Sequence, residues 1–125
     1  IGERTNIQDG SIVHVTHKSQ YSEGYQCHIG ADVTIGHGCI IHACTIEDMA
    51  LVGMGSVILD GTIISKKVII GAKSLVPSGK MLESGYLYMG SPCKKIRPLN
   101  DAELEFLKYS ATHYVNTKDD FLSEP

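Results

Sequence analysis

The stretch that decides the fold runs from Ile46 to Val76 and reads IEDMALVGMGSVILDGTIISKKVIIGAKSLV. An aliphatic residue returns every six positions, at Ile46, Val52, Ile58, Ile64, Ile70 and Val76. An amphipathic helix needs apolar spacings of three and four, and an ordinary antiparallel sheet needs alternation of period two. A period of six fits neither pattern. It predicts short, flat strands joined by tight corners, each strand burying one aliphatic side chain.

The same period of six continues upstream of this stretch, at Ile1, Ile7 and Val13 and again at Ile29, Ile35 and Ile41. Three such strands make a triangular coil of about 18 residues, and coils stack at roughly 4.8 Å. The pattern resembles the hexapeptide repeats of left-handed parallel β-helix proteins. We therefore expect an all-β fold, a left-handed parallel β-helix of hexapeptide repeats followed by a C-terminal α-helix.

Two irregularities interrupt the period and set the expected domain boundaries. One residue is missing between Ile41 and Ile46, which a corner must absorb. Sixteen residues separate Val13 from Ile29 where the period needs six, so about ten residues, 19–28, are expected to loop out of the coil. This loop is either functional or a tolerated insertion. The β-helix is expected over residues 1–84, with the loop inserted.

Residues 85–125 are expected to form a connector and a terminal helix. The hexad pattern fades after Val76, and residues 85–97 read as the connector. Asn100 and Glu103 have the spacing of a capping box. An apolar stripe follows at Leu104, Leu107, Ala111, Tyr114 and Val115. This helix is expected to pack along the solenoid or on a neighbouring subunit.

Composition excludes several classes of protein. Charged residues make up 20% of the 125 residues and the formal net charge is -3, which gives no electrostatic case for nucleic acid or an anionic membrane. No apolar run approaches the roughly 20 residues of a membrane span. The chain begins with Ile and shows no signal peptide, so we expect a cytoplasmic protein and a piece of a longer chain cut at its N-terminus.

The four cysteines point to the same compartment. They are Cys27, Cys39, Cys44 and Cys93, and none form a Cys-x-x-Cys pair. We interpret them as reduced thiols that serve mostly as small core residues.

Two histidines hold the same position in the repeat. His14 follows Val13, and His42 follows Ile41. They are 28 residues apart, and subtracting the ten-residue loop leaves 18, which is one coil. We therefore expect the two imidazoles to stack on one face, where they could share a metal ion. His37, two places after Ile35, belongs to a different face.

A threefold trimer would bring these faces together, because one face of each subunit then packs against a different face of the next. His37 of a neighbour could complete a three-histidine site, the arrangement of a catalytic zinc that activates a bound water. From spacing alone, other interpretations stay open. The histidines could be surface residues, or one could be the lone catalytic histidine of a hexapeptide acyltransferase.

Two runs carry a more specific resemblance. Residues 6–14 read NIQDGSIVH and residues 35–42 read IGHGCIIH. Together they are similar to the signature of the γ-class carbonic anhydrases and their close bacterial relatives, and the similarity continues through 51–55, 71–72 and 90–92 to the terminal helix. The resemblance implies a homotrimer that hydrates CO2 reversibly to bicarbonate. It also implies zinc, with iron or cobalt as possible alternatives, on His14, His37 and His42.

The same resemblance assigns further residues to the site. Gln8 and Asp9 match the family's Gln and Asp beside the metal, although Asp9-Gly10 is also a good turn pair. His17 stands where the best-known members carry a glutamate proton shuttle, and it is a shuttle, a structural residue or a spare ligand. Tyr114, with Tyr109 in reserve, is the candidate for a helix tyrosine that reaches the site, unless both only pack.

One part of the family pattern is missing. The family carries an Arg-x-Asp segment one coil upstream, and this chain begins after it. The chain most resembles the shorter branch of the family, so we expect weak hydratase activity. Two alternatives remain: an acyl or acetyltransferase that uses coenzyme A and a general-base histidine, and a non-catalytic trimeric scaffold.

Overall fold

A computed structural model describes residues 1–15 and 26–110. These residues form fourteen strands and one helix, α1, at 101–110. The strands are β1 (Asn6–Ile7), β2 (Ile12–His14), β3 (His28–Ile29), β4 (Thr34–Ile35), β5 (Ile40–His42), β6 (Thr45–Ile46), β7 (Leu51–Val52), β8 (Val57–Ile58), β9 (Ile63–Ile64), β10 (Ile69–Ile70), β11 (Leu75–Val76), β12 (Met81–Leu82), β13 (Tyr86–Gly90) and β14 (Cys93–Pro98).

The strands stack into three sheets, as a triangular coil requires. The first sheet has the order β1-β4-β7-β10-β13-β14, the second β11-β8-β5-β2 and the third β12-β9-β6-β3. Neighbours are parallel except for β13 and β14, and aliphatic residues lie above one another, as in the pairs Ile35↔Val52 and Ile46↔Ile64. The fold is therefore the predicted left-handed parallel β-helix.

The core is the column of residues that the period of six identified. Its aliphatic members, from Ile29 to Val76, are at most 4% exposed. A second inward position, two residues before each aliphatic, carries small or β-branched residues such as Cys39, Ser56 and Thr62. Burying a side chain of this size contributes about 1.5–3 kcal/mol, so the repeated column is the main source of stability for the described coils.

The missing residue in the period is absorbed at one corner, as expected. Only Ala43 and Cys44 join β5 to β6, whereas residues 59–62 join β8 to β9 in the next coil. Ala43 takes a positive φ of 46°, which turns the chain sharply at this shortened corner. The next coil therefore has extra chain opposite the short corner.

The predicted loop 19–28 is too long at its C-terminal end. Its residues 19–25 lie outside the described part of the chain, but His28 belongs to β3 and its N–H donates to the Cys44 carbonyl at 2.9 Å. Cys27 packs against the hydrophobic core. These residues belong to the coil because β3 pairs in register with β6, the strand that follows the shortened corner, so that His28 lies opposite Thr45.

The predicted connector 85–97 is instead a continuation of the sheet. Strand β13 pairs in parallel with β10, and β14 returns antiparallel to it. The period of six does not end at Val76, since Leu82 is 2% exposed and Tyr88, six residues on, is 7% exposed. The sequence analysis ended the period at Val76, although Leu82 and Tyr88 continue it at spacings of six.

The terminal helix begins at the predicted capping box. The Asn100 side chain accepts from the Glu103 N–H at 2.8 Å, and Glu103 accepts from the Asn100 N–H at 3.0 Å. Leu107 is buried, and the Ser110 hydroxyl lies 3.3 Å from that of Thr34 on the first sheet. The helix therefore packs on the solenoid of its own chain. The remaining stripe residues Ala111, Tyr114 and Val115 lie outside the described part.

The capping box predicts an acid-dependent loss of stability. Hydrogen bonds from Arg97 and from the Asn100 N–H lower the pKa of Glu103 from 4.5 to about 2. A carboxylate with a lowered pKa in the folded state stabilises it above its unfolded pKa, and this contribution is lost as the pH falls through the folded value. We expect the melting temperature of the wild type to exceed that of Glu103→Gln at pH 6, and the difference to shrink between pH 4.5 and pH 2.

Thermal unfolding followed by circular dichroism measures this difference. The control is Glu105→Gln, which changes an exposed glutamate of the same helix and should differ little from the wild type at either pH. A Glu103→Gln difference that stays constant down to pH 2 would contradict the assignment.

Within the described residues, no helix has the length and apolar character needed to cross a membrane.

Candidate functional site

The two histidines expected to stack do so. His14 and His42 end β2 and β5 and are direct register partners. Their ring centroids are 4.9 Å apart and the ring planes differ by 9°. The coil arithmetic is confirmed, and it places two imidazoles side by side at one edge of the second sheet.

A third side chain joins this pair from the next coil. Asp60 Oδ1 is hydrogen-bonded to Nδ1 of His42. An ionised carboxylate can only accept, so Nδ1 carries the proton and Nε2 of the neutral ring keeps its lone pair. Both side chains are about one-third exposed. The sequence analysis did not identify Asp60. The interval of five residues between Ile41 and Ile46, in place of six, indicated that the corners of adjacent coils would not match here.

His37 and Asp9 occupy the opposite edge of the same sheet face. Both lie in the corner between the first and second sheets, one coil apart, with the Gly38 N–H donating to the Asp9 carbonyl at 3.0 Å. Both side chains are exposed. Among the described residues, no three His, Cys, Asp or Glu side chains of one chain are grouped so that they could hold a metal ion. His37 is therefore not brought together with the His14–His42 pair within one chain.

Gln8 is held by a chain of hydrogen bonds that reaches the terminal helix. Its Nε2 donates to Asn6 Oδ1 at 3.3 Å, and Asn6 Nδ2 donates to Thr34 Oγ1 at 3.2 Å. Thr34 in turn meets the Ser110 hydroxyl at 3.3 Å. The Gln8 amide takes part in this chain of contacts through its nitrogen, not through its carbonyl oxygen. Asn6, Thr34 and Ser110 were not among the predicted site residues.

Exposed aliphatic side chains surround His14 on the second sheet. Ile12 and Ile40, register partners that lie on the same side of the sheet as His14 and His42, are 56% and 40% exposed. Apolar side chains concentrated on one sheet face are typical of a surface that another subunit covers. This face carries the stacked histidines at one edge and the His37 corner at the other.

Two cysteines form a contact near the histidine pair. Cys27 is half-buried, whereas Cys44, Cys39 and Cys93 are buried, and all four are free thiols. A hydrogen bond from Cys44 lowers the pKa of the Cys27 thiol. The same contact, together with burial, raises the pKa of Cys44. The prediction that the cysteines are mostly core residues is confirmed for these positions.

A groove of about 570 Å³ lies away from these residues, against the third sheet, where His28, Glu47, Asp48 and Lys66 contribute to its lining. None of the predicted site residues line it. His17 and Tyr114 lie outside the described residues, so their predicted roles stay predictions. Tyr109, the reserve for Tyr114, lies on α1 with its side chain 61% exposed.

Comparisons with known proteins identify relatives over nearly the whole chain. Protein YrdA of Escherichia coli is 59% identical over 125 residues, which is 99% of this chain and 68% of YrdA. Gamma carbonic anhydrase 2, mitochondrial, of Arabidopsis thaliana is 40% identical, covering 99% of this chain and 45% of the plant protein. No family model matches the sequence.

A solved structure matches in fold as well as in sequence. It is a hexapeptide transferase family protein from Anaplasma phagocytophilum, with a TM-score of 0.87 and 38% identity. The match covers 97% of this chain and 68% of that protein. The similarity to the plant protein supports the carbonic anhydrase-like interpretation of the sequence, and the similarity to the solved structure supports the transferase alternative.

Proposed function

We propose a function for this chain from the premise that it belongs to the hexapeptide-repeat family that includes Protein YrdA. The function is the reversible hydration of CO2 to bicarbonate at a metal site shared between two subunits of a homotrimer. His14 and His42 of one subunit and the partner subunit's His37 are the proposed ligands. The observation that carries the proposal is the parallel stacking of His14 and His42 at 4.9 Å, with Nδ1 of His42 bonded to the Asp60 carboxylate.

The donor set fits zinc. Three neutral imidazoles with an open fourth position are a known catalytic zinc arrangement, and imidazole also suits iron and other transition metals. His14, His42 and the partner subunit's His37 would hold the zinc ion, which would supply the acidity needed to make water a nucleophile for CO2 near neutral pH. The exposed position of His37, at the far edge of the face that bears the other two histidines, suits a ligand offered to a neighbour.

The chain's own residues provide the rest of the proposed chemistry. Because the Gln8 amide nitrogen is engaged by Asn6, the Gln8 carbonyl oxygen is the group that can accept a hydrogen bond from a bound water or bicarbonate. Asp9 lies one coil above His37 in the same corner and adds a carboxylate to that edge. The aliphatic side chains around His14 provide an apolar lining that suits CO2 and that subunit contact would shield from water.

The proposal predicts chelator-sensitive activity that depends on Gln8. Freshly purified protein should hold about one metal ion per chain and hydrate CO2, and removal of the metal should abolish the activity. Gln8→Ala should lower kcat/KM by roughly 10- to 100-fold, as expected for a group that supports the metal site. Stopped-flow measurement of CO2 hydration, with metal analysis of each sample, tests this expectation.

Gln26→Ala, at an exposed position outside the site, is the matched control and should retain wild-type activity. The second candidate function is acyl transfer from coenzyme A, which the hexapeptide transferase relative favours. Acetyl-coenzyme A turnover that survives complete removal of metal, without CO2 hydration by the metal-loaded protein, would replace the first function by the second.

A further inference from the structure

We propose that Asp60 is a positioning residue for the metal site, which holds the His42 ring in the tautomer and orientation that a metal ligand needs. The proposal rests on the proposed function, because it assumes that His42 binds the metal. Asp60 is neither one of the three proposed metal ligands nor one of the other site residues, such as Gln8 and Asp9, that the sequence analysis identified.

The position of Asp60 follows from the shortened corner of the coil above. Ile41 lies opposite Ile58, and the Gly61 N–H donates to the Ala43 carbonyl at 2.9 Å. Between these two points of contact, the upper coil has one residue, His42. The lower coil has two, Leu59 and Asp60. The lower coil therefore carries one residue more than the upper coil in this interval. This arrangement brings the Asp60 carboxylate into contact with the ring of His42.

The contact determines which ring nitrogen is available. The carboxylate accepts the Nδ1 proton, so the lone pair of the neutral ring lies on Nε2. A carboxylate bonded to the second nitrogen of a metal-binding histidine also raises the basicity of the ligating nitrogen and fixes the ring plane. His14 stacks parallel to the ring that Asp60 holds, so the contact bears on both members of the pair.

Stability alone does not account for this pair. Both side chains are about one-third exposed, and ion pairs at such positions contribute little to folding. A carboxylate in contact with a proposed metal ligand has a direct chemical use in preparing that ligand.

The test measures zinc affinity in the full chain by competition with a chromogenic chelator. Asp60→Ala should weaken zinc binding by roughly 10- to 100-fold. Asp60→Asn, whose amide oxygen can still accept the Nδ1 proton, should recover part of this loss. Asp48→Ala is the matched control, because Asp48 is another corner aspartate that reaches the coil above, where it accepts from the Ala31 N–H at 2.8 Å. It should keep wild-type affinity.

A second measurement uses nitrogen NMR of histidine-labelled, metal-free protein. In the wild type, the His42 signals should report protonated Nδ1 and unprotonated Nε2, whereas Asp60→Ala should show a mixture of both tautomers. Unchanged zinc affinity in Asp60→Ala, while His42→Ala loses zinc, would overturn the positioning role and leave the proposed function standing. A wild type that binds no zinc would overturn the proposed function, and an Asp60→Ala spectrum identical to wild type would overturn the role of Asp60 separately.

Discussion

We expect that refolding a mixture of His14→Ala and His37→Ala chains will restore metal to about one quarter of the proposed sites. If the protein assembles as the proposed trimer, each variant alone should bind no metal, because every site lacks one ligand. In a mixed trimer, the His37→Ala chain still offers an intact His14–His42 pair, and the His14→Ala chain still offers His37. Random assembly of equal amounts joins a good pair to a good His37 at about one interface in four. Metal analysis of the refolded trimers measures this fraction.

The matched control mixes His14→Ala with His42→Ala. Both chains then offer His37, but neither has a complete pair, because His14 and His42 are register partners on adjacent strands of one chain. This mixture should recover no metal. If all three ligands came from one chain, the first mixture would fail as well, and equal failure of both mixtures would refute the site between subunits.

The second large effect is expected from Gly53→Ala. A Cβ at Gly53 would lie 2.6 Å from the Ala72 nitrogen and 2.8 Å from the Ile70 carbonyl oxygen, both backbone atoms of the next coil. Backbone atoms cannot move aside as a flexible side chain can, so the coils must separate locally. We expect a loss of about 3 kcal/mol in the free energy of unfolding, at the upper end of the range for overpacking.

Gly79→Ala is the control for this change. Gly79 has a positive φ of 75°, and a Cβ there would meet nothing within 4 Å. Its only cost is the left-handed backbone conformation, about 1 kcal/mol. Urea unfolding of both variants at one protein concentration measures the difference. Equal destabilisation by the two substitutions would mean that the coils do not approach at Gly53 as closely as the structure describes.

The solenoid explains why a site of this kind can be divided between subunits. Each coil repeats the same three faces, so residues that lie one full coil apart reach the same face. His14 and His42 lie one coil apart and stack, whereas His37 lies in a corner between two sheets. Closed symmetry brings different faces of neighbouring subunits together, which is the arrangement that the proposed site requires.

The sequence by itself determined the coil, its core and the stacked histidine pair. These follow from a local rule: an aliphatic residue every six positions, three strands to a coil, and one subtraction for the inserted loop. The capping box at Asn100 followed from local spacing in the same way. Such features depend on nearest-neighbour order along the chain, which the letters of the sequence record directly.

Only the tertiary structure decided the contacts that depart from this rule. The period of six continued through Leu82 and Tyr88, but only the pairing of β13 with β10 and β14 distinguished a sheet from a connector. The contact of Asp60 with His42 depends on two corners of unequal length meeting across adjacent coils. The bond between Ser110 and Thr34 joins residues 76 positions apart. Periodicity specifies which residues point inward, whereas these contacts depend on how irregular segments are juxtaposed in three dimensions, and that requires the packed chain.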